Sequence, residues 1–371
     1  MRLLETAVSY KLISDKKHIR HPYRLIINVT GACQSLCLTC DWGRNYLSRK
    51  YSTAGELTLA EYERLFSAVP EIVWLSLGGG EPTMRKDLAD IAITAGKKCD
   101  SLLGVDFSTN GLTPRIAEGH VRKMAQNAPV LIEAGISLDG GPDLHDKIRG
   151  IKGNYAKCME TYHLIKALAK TYPNIGVHFN HTISGHNTGH MPEFLDALKS
   201  SGIEVKGDDI SISFANVGYA FSNFGRTDFM ITDREAAIRD VQYLLEHTPM
   251  FTSKDPLRRV RHLVKRAYLT LAMERYLRNP RQMVIPCAAF VASCHIDAFG
   301  NVFPCTIWGN KMGNLREVDF NFDKIWNSEE AEVIRKRIGE AKCPVCWSGC
   351  ESTQSITLNL PGLLPQALRT T

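Results

Sequence analysis

The stretch Cys33-Gln34-Ser35-Leu36-Cys37-Leu38-Thr39-Cys40 decides how this chain is read. Three cysteines stand at x3 and x2 spacing directly after the apolar run Leu25-Ile26-Ile27-Asn28-Val29. That run is short, aliphatic and bounded by Gly31, which predicts a buried strand with the cysteines on the loop leaving its C-terminal end. Three thiolates on one tight loop can hold three corners of a [4Fe–4S] cubane. The cubane normally takes four Cys, so one iron stays open to another ligand. A zinc site also asks for four ligands, and the loop offers no fourth Cys or His. Disulfide pairing would leave an odd thiol, and no signal-peptide core precedes the loop.

At 371 residues the chain exceeds one average domain, so a large domain plus a smaller one is expected. Hydrophobic residues make up 44% and charged residues 23%, the balance of an ordinary globular protein rather than a disordered one. No apolar run approaches the ~20 residues a membrane helix needs. Met1 to Leu25 interleaves charges with apolar residues. A cytoplasmic protein with reduced thiols follows, and eleven cysteines then point to metal binding. Three lie at 33–40 and six at 287–350, while Cys99 and Cys158 stand alone as inert core thiols. The net charge of +6 is local, because residues 254–281 hold nine Lys/Arg against Asp255 and Glu274.

Downstream of the cysteine loop, strands alternate with helices about six times. The strand 72–77 ends in Gly78-Gly79-Gly80-Glu81-Pro82, strand 102–107 in Ser108-Thr109-Asn110-Gly111, and strand 130–137 in Leu138-Asp139-Gly140-Gly141. Short connections and apolar strands imply parallel pairing with helices outside. The polar, Gly-rich motifs all fall at C-terminal strand ends, where (β/α) barrels place their sites. Thr58 with Glu61 reads as a capping box, as does the run Thr232-Asp233-Arg234-Glu235. A helix over about 257–278 carries a stripe of Lys254, Arg258, Arg261 and Lys265. That stripe is either a solvated face or a dock for an anionic substrate, partner or lipid surface. His178, His181, His186 and His190 follow strand alternation and a loop, and read as barrel or surface polar groups. The C-terminal segment has a hairpin turn at Asp297–Asn301, with Gly300 needing positive φ, and a helix 329–339 capped by Ser328. Residues 351–371 show little pattern and read as a tail or covering strand.

Five motifs in order carry a family resemblance: Cys33/Cys37/Cys40, Gly79-Gly80-Glu81-Pro82, Ser108 to Gly111, Ser137 to Gly140, and His145 to Gly150. Over most of 22–215 the sequence resembles the radical S-adenosylmethionine (radical SAM) enzymes. The resemblance implies an α/β fold, a partial (β/α)6 TIM-like barrel over 23–215 after an N-terminal extension at 1–22. It also implies a SAM-binding [4Fe–4S] cluster on Cys33, Cys37 and Cys40. SAM itself would meet Gly79, Gly80 and Glu81 at its amine, Ser137, Asp139, Thr109 and Asn110 at its ribose, and Arg149 at its carboxylate. Reductive cleavage of SAM to a 5′-deoxyadenosyl radical, which abstracts a substrate hydrogen, is the implied chemistry. Many members have an aromatic residue directly after the third Cys, whereas here Asp41 precedes Trp42.

The segment 286–371, reached through a helical bridge at 216–285, resembles the SPASM or shorter twitch auxiliary-cluster domains. Cys287-x12-Gly300-x4-Cys305 and Cys343-x2-Cys346 open that pattern, and then only Cys350 follows. One auxiliary [4Fe–4S] cluster is expected on four of Cys287, Cys305, Cys343, Cys346 and Cys350. Cys294, inside a predicted strand, is the least suited to ligation, and a structural zinc site is the alternative. The expected activity is net oxidation or rearrangement of a non-peptide substrate, such as a sugar, an aminocyclitol or a lipid-linked intermediate, with anionic substrates among the candidates. The auxiliary cluster would accept the electron, and an external donor such as flavodoxin or ferredoxin would reduce the first cluster. No nucleic acid partner is expected. No leader-binding module precedes the first strand, which weighs against a peptide substrate. Peptide maturation by crosslinking or epimerisation is the alternative, and a non-catalytic iron–sulfur scaffold or electron-transfer protein is one of a different class.

Overall fold

A computed structural model describes residues 21–207, 209–250 and 256–368. The N-terminal extension expected over 1–22 lies almost wholly outside the described residues, as does Lys254 of the basic stripe.

Six strands alternate with helices, as the pattern predicts: β1 (Arg24–Thr30), β2 (Trp74–Gly79), β3 (Gly104–Thr109), β4 (Leu131–Ser137), β5 (Ile175–Ile183) and β6 (Ile210–Phe214). Between and after them come α1 (Trp42–Leu47), α2 (Leu59–Ala68), α3 (Leu88–Lys98), α4 (Pro114–Asn127), α5 (Pro142–Arg149), α6 (Asn154–Leu168), α7 (Met191–Ser200) and α8 (Arg234–His247). The six strands pair in parallel and in chain order, as an open sheet rather than a closed ring. This is the partial barrel.

Strand alternation sorts the side chains. One face of the sheet carries Leu25, Ile27, Val29, Leu75, Val105, Phe107, Ile132 and Phe179, all buried beneath the helices. The inner face carries Ser76, Asp106, Ser108, Glu133, His178, Asn180, Ser211 and Ser213. On β5 every inner residue from Gly176 to Thr182 is only partly buried, and Ser108 and Ser211 are exposed. A polar face left open between strands that are otherwise apolar is a chamber, not a core.

The C-terminal hairpin joins this sheet. β7 (Ser293–Ile296) runs parallel to β1 on its outer edge, and β8 (Asn301–Phe303) and β9 (Gly313–Asn314) continue it antiparallel, giving the order β6-β5-β4-β3-β2-β1-β7-β8-β9. Gly300 sits in the hairpin turn at φ 83°, as expected.

Three expectations are corrected. The Thr232–Glu235 run is capped by Asp233, whose Oδ1 accepts from the Ala236 amide at 2.9 Å, and not by Thr232. Residues 349–368, read as a tail, form helix α12 (Gly349–Leu368), with Pro361 and Pro365 inside it. It packs along α9 (Pro256–Leu271), where the Tyr268 and Trp347 rings stack at 5.3 Å. The prolines hide the helix in the sequence, because isolated helices avoid them; burial against α9 outweighs that. Third, of the basic stripe on α9, read as either a solvated face or a dock for an anionic partner, Arg261 and Lys265 bond within the chain, although Arg261 stays 44% exposed. Arg261 reaches Glu133 of β4 at 2.7 Å, and Lys265 donates to the Gly207 and Ile210 carbonyls. α10 (Asp323–Trp326) and α11 (Glu329–Gly339) complete the C-terminal region, with Ser328 capping α11 as read from the sequence. No helix among the described residues is long and apolar enough to cross a membrane.

Candidate functional site

The cysteine loop leaves the C-terminal end of β1, as expected, and is fastened on three sides. On the first, Gly80 N donates to Thr30 O (2.8 Å) and Glu81 N to Ala32 O (2.7 Å), stitching the end of β2 to the loop. Gly79 makes this approach possible. It has φ +122°, and a Cβ there would stand 2.1 Å from Thr30 O. On the second side, Leu36 N donates to Arg149 O (3.1 Å) and Leu38 N to Ile148 O (2.8 Å), so the loop lies against the end of α5. Gly150 closes that helix at φ +68°, and a Cβ on it would come within 2.6 Å of Leu36 O. On the third, the segment after β6 grips the loop. Asn223 Nδ2 donates to Thr39 O (2.9 Å), Arg226 Nη1 pairs with Asp41 (2.8 Å), and Cys40 Sγ contacts Phe221 O (3.2 Å).

Inside this frame, the strand-end motifs bond to one another. Glu81 is 1% exposed, and both of its oxygens are engaged. Oε1 accepts from Thr83 Oγ1 (2.6 Å), Thr83 N (3.1 Å) and Thr109 Oγ1 (2.8 Å); Oε2 accepts from Asn110 N (2.6 Å). Asn110 Nδ2 then reaches Ser35 Oγ at 2.9 Å, between the first two cysteines of the loop. One carboxylate thus ties β2, β3 and the cysteine loop together. Burial pushes its carboxyl upward against the pull of these donors.

Asp139 and Arg149, assigned separately to ribose and carboxylate on resemblance, pair with each other at 2.7 Å. Asp139 also accepts from Thr182 N (3.0 Å). Burial opposes its charge, but Arg149, His181 and His145 hold it below the usual carboxylate range. Arg149 Nη1 lies 3.8 Å from Cys37 Sγ, while its Nε is buried without a partner. Ser137 is half-buried at the same rim. Gly79 and Gly80 lie at the end of β2. Trp42 is occupied otherwise: its Nε1 donates to Ala220 O (2.8 Å) and its ring meets Tyr51 edge-on at 5.3 Å.

The donor set here is three free thiols, Cys33, Cys37 and Cys40, on one loop. Burial, the Cys37 thiol and Glu81 push Cys33 up to about 12. Burial and its two sister thiols raise Cys40 further. Three thiols gathered on one loop, where thiolate charge on one opposes charge on the next, suit a cationic iron cluster that relieves the repulsion. The residues therefore fit the group. No set of three or more His, Cys, Asp or Glu among the described residues gathers as around a single ion; a cubane instead takes one thiolate on each iron.

A second thiol set lies in the C-terminal region. Cys287, Cys305, Cys343 and Cys346 line one cavity of about 40 Å³ together with Trp308 and Glu351. Cys294, on β7, is wholly buried and does not line it, in keeping with its expected lack of a role. Cys350 does not line it either. Burial raises Cys350 to about 11, and the charges it meets are Arg24, Glu351 and Asp106, on the side of the barrel's inner face.

Two family descriptions match this arrangement. The radical SAM superfamily matches residues 27–198, and the iron–sulfur cluster-binding SPASM domain matches residues 287–351. The chain carries a radical SAM domain and a SPASM domain. Its cofactors are accordingly a [4Fe–4S] cluster, S-adenosylmethionine and auxiliary iron–sulfur in the SPASM region.

Among curated relatives of this radical SAM protein, Fe-coproporphyrin III synthase of Methanosarcina barkeri is 28% identical over 63% of this chain and 52% of its own length. Mycofactocin maturase MftC of Mycobacterium ulcerans is 27% identical over 55% of this chain and 51% of its own. Pre-heme d1 synthase of Dinoroseobacter shibae is 25% identical over 87% of this chain and 78% of its own. The chain thus spans about half the length of the first two. Native anSMEcpe with bound AdoMet shares the fold with TM-score 0.60 at 13% identity, over 94% of this chain and 100% of that one.

The sequence did not point to the gripping residues Ser35, Asn223 and Arg226, nor to Glu351. Each bonds to a partner far along the chain, so no local spacing marks it.

Proposed function

We propose that this radical SAM protein oxidises or rearranges a non-peptide substrate held on the inner face of the barrel, between the cysteine rim and the four-thiol cavity. The observation that carries this is the open polar face of the sheet, with Ser108 and Asn180 bonded to each other at 3.0 Å beneath the rim. Pre-heme d1 synthase, a relative aligned over most of this chain, bears the name of a tetrapyrrole enzyme and supports the non-peptide class.

Cys33, Cys37 and Cys40 hold the first cluster, and Cys287, Cys305, Cys343 and Cys346 hold one auxiliary [4Fe–4S] cluster, leaving Cys350 spare. Bound there, the first cluster and SAM supply a carbon radical that takes a hydrogen atom from the substrate. The protein's part is positioning. Gly79 and Gly80 present backbone carbonyls to the SAM amine, and Ser137 faces the ribose. Glu81, Thr109 and Asn110 set the height of the cysteine loop through Ser35. Asp139 fixes Arg149, which keeps positive charge beside Cys37 and offers its free Nε–H at the rim. Asn180 and Ser108 orient polar groups of the substrate. A cluster held by the auxiliary thiols would accept the electron left on the substrate radical as its proton passes to solvent, and an external flavodoxin- or ferredoxin-type donor would supply the electron to the first cluster.

The test is anaerobic turnover with dithionite and SAM. Wild type should form 5′-deoxyadenosine, and the variant with Cys33, Cys37 and Cys40 all changed to Ala should form none. Cleavage of SAM by that variant would exclude the assignment. Peptide maturation is the second reading, favoured by the match to mycofactocin maturase MftC. Incubation with porphyrinoid and with peptide candidates, followed by mass analysis, distinguishes the two by which one loses hydrogen.

A further inference from the structure

Glu351 sits in the first turn of α12, one residue past Cys350, and is 2% exposed. It lines the same cavity as Cys287, Cys305, Cys343 and Cys346. Its Oε2 accepts from Ser293 Oγ at 2.7 Å. Its Oε1 is buried and finds no partner at hydrogen-bond distance; burial pushes the carboxyl upward, against the pull of Ser293, Arg24 and the Thr306 amide. A buried carboxylate oxygen without a partner is costly, and such groups call for an explanation.

The opposite charge lies one strand away. Arg24 is the register partner of Ser293 across the β1–β7 pair. Its guanidinium is fixed by Ser76 Oγ (2.8 Å) and Asp106 Oδ1 (3.2 Å) on the inner face. The thiols feel both groups. Glu351 helps raise Cys287, Cys305 and Cys346 beyond what burial does, while Arg24 pulls Cys350 down against its burial.

We infer that Glu351 belongs to the auxiliary centre, its free carboxylate oxygen facing the cluster and lowering its reduction potential, with Arg24 opposing it from the barrel side. The inference rests on the reading that the four-thiol cavity holds a cluster. Reduction adds one negative charge to the cluster. A fixed anion beside it disfavours that charge and a fixed cation favours it, and the effect is large where water is excluded. The two residues together would set how readily the centre takes an electron from the substrate. Glu351 also anchors α12 to β7 through Ser293, so stability alone cannot identify the electrostatic role; a potential can.

The experiment uses the full chain with Cys33, Cys37 and Cys40 changed to Ala, so that only the auxiliary centre remains. It is reconstituted anaerobically with iron and sulfide, then titrated potentiometrically with EPR detection. Glu351→Gln should keep the iron content and shift the potential upward. Arg24→Gln should shift it downward. If the parent binds no iron, both the cavity reading and this inference fall. If the parent binds iron and E351Q titrates at the parent's potential, the inference alone falls. Should E351Q fail to fold, R24Q carries the test, and an unchanged potential there overturns the proposal.

Discussion

At the scale of single residues, Glu81 is the most heavily used side chain of the rim. Four donors converge on it. Glu81→Gln keeps the shape but turns an amide NH2 toward groups that themselves donate. Hydrogen bonds to a charged acceptor contribute about 1.5–3 kcal/mol each, so a loss of at least about 2 kcal/mol is expected. Anaerobic urea unfolding reads it as a lower midpoint, and SAM affinity should fall with it because the loop shifts. Glu133 gives a pH signature on the inner face. Burial opposes its charge, but His178 at 3.6 Å and Arg261 hold its pKa at about 2, below its ordinary 4.5. A group whose folded pKa is depressed contributes stability above the unfolded pKa, and that stability is lost as pH falls toward the folded one. Unfolding free energy measured between pH 5 and pH 2 should therefore drop by an amount that Glu133→Gln removes. An identical acid limb in the variant would contradict this.

At the scale of elements, the cysteine loop depends on how α5 ends. Gly150 combines left-handed backbone with a close approach to Leu36 O. Gly150→Ala must either bend the helix end or push the loop away, destabilising by more than the ~1 kcal/mol that a tolerated glycine replacement gains. The expected readout is about four irons lost per chain while the auxiliary iron stays, since one [4Fe–4S] cluster is displaced. Full iron content in G150A would show that the loop does not rely on this contact. The same scale explains what could be read from the sequence. Strand ends, the Thr58–Glu61 capping box and the cysteine loop are set by neighbours within a few residues, and all were legible. The Glu81–Asn110–Ser35 chain was not, because its links span 29 and 75 residues. Nor was α12, whose helical state is decided by α9 and not by its own proline-bearing sequence. The basic stripe was legible only in part: charge spacing on a helix gives the side that carries it, but not that Glu133 of β4 lies within reach of Arg261.

At the scale of the whole molecule, one thiol set sits on the loop after β1 and a second lines the C-terminal cavity. Reconstitution should give about eight irons per chain, four for each cluster, and the triple variant at Cys33, Cys37 and Cys40 should keep about half. Stoichiometric zinc in protein purified without oxygen would instead make the C-terminal site structural, because zinc has no redox chemistry. Removing Asp139 or Arg149 alone leaves an uncompensated buried charge, at a cost of about 3–5 kcal/mol. Thermal unfolding of Asp139→Asn, Arg149→Met and the double variant should show the double change costing less than the sum of the two.

The pairing of β7 with β1 bears on how the protein is made. Residue 293 leaves the ribosome about 260 residues after β1, which at 5–20 residues per second is roughly 13–50 s later. Throughout that interval the outer edge of β1 is a bare row of amides and carbonyls, the kind of edge that recruits strands from other chains. A strand synthesised long after β1, Ser293–Ile296, is thus the seal on its outer edge. A nascent chain stalled before Ser293 would be a substrate for chaperones, and a protein truncated there should collect in inclusion bodies rather than behave as a free-standing barrel.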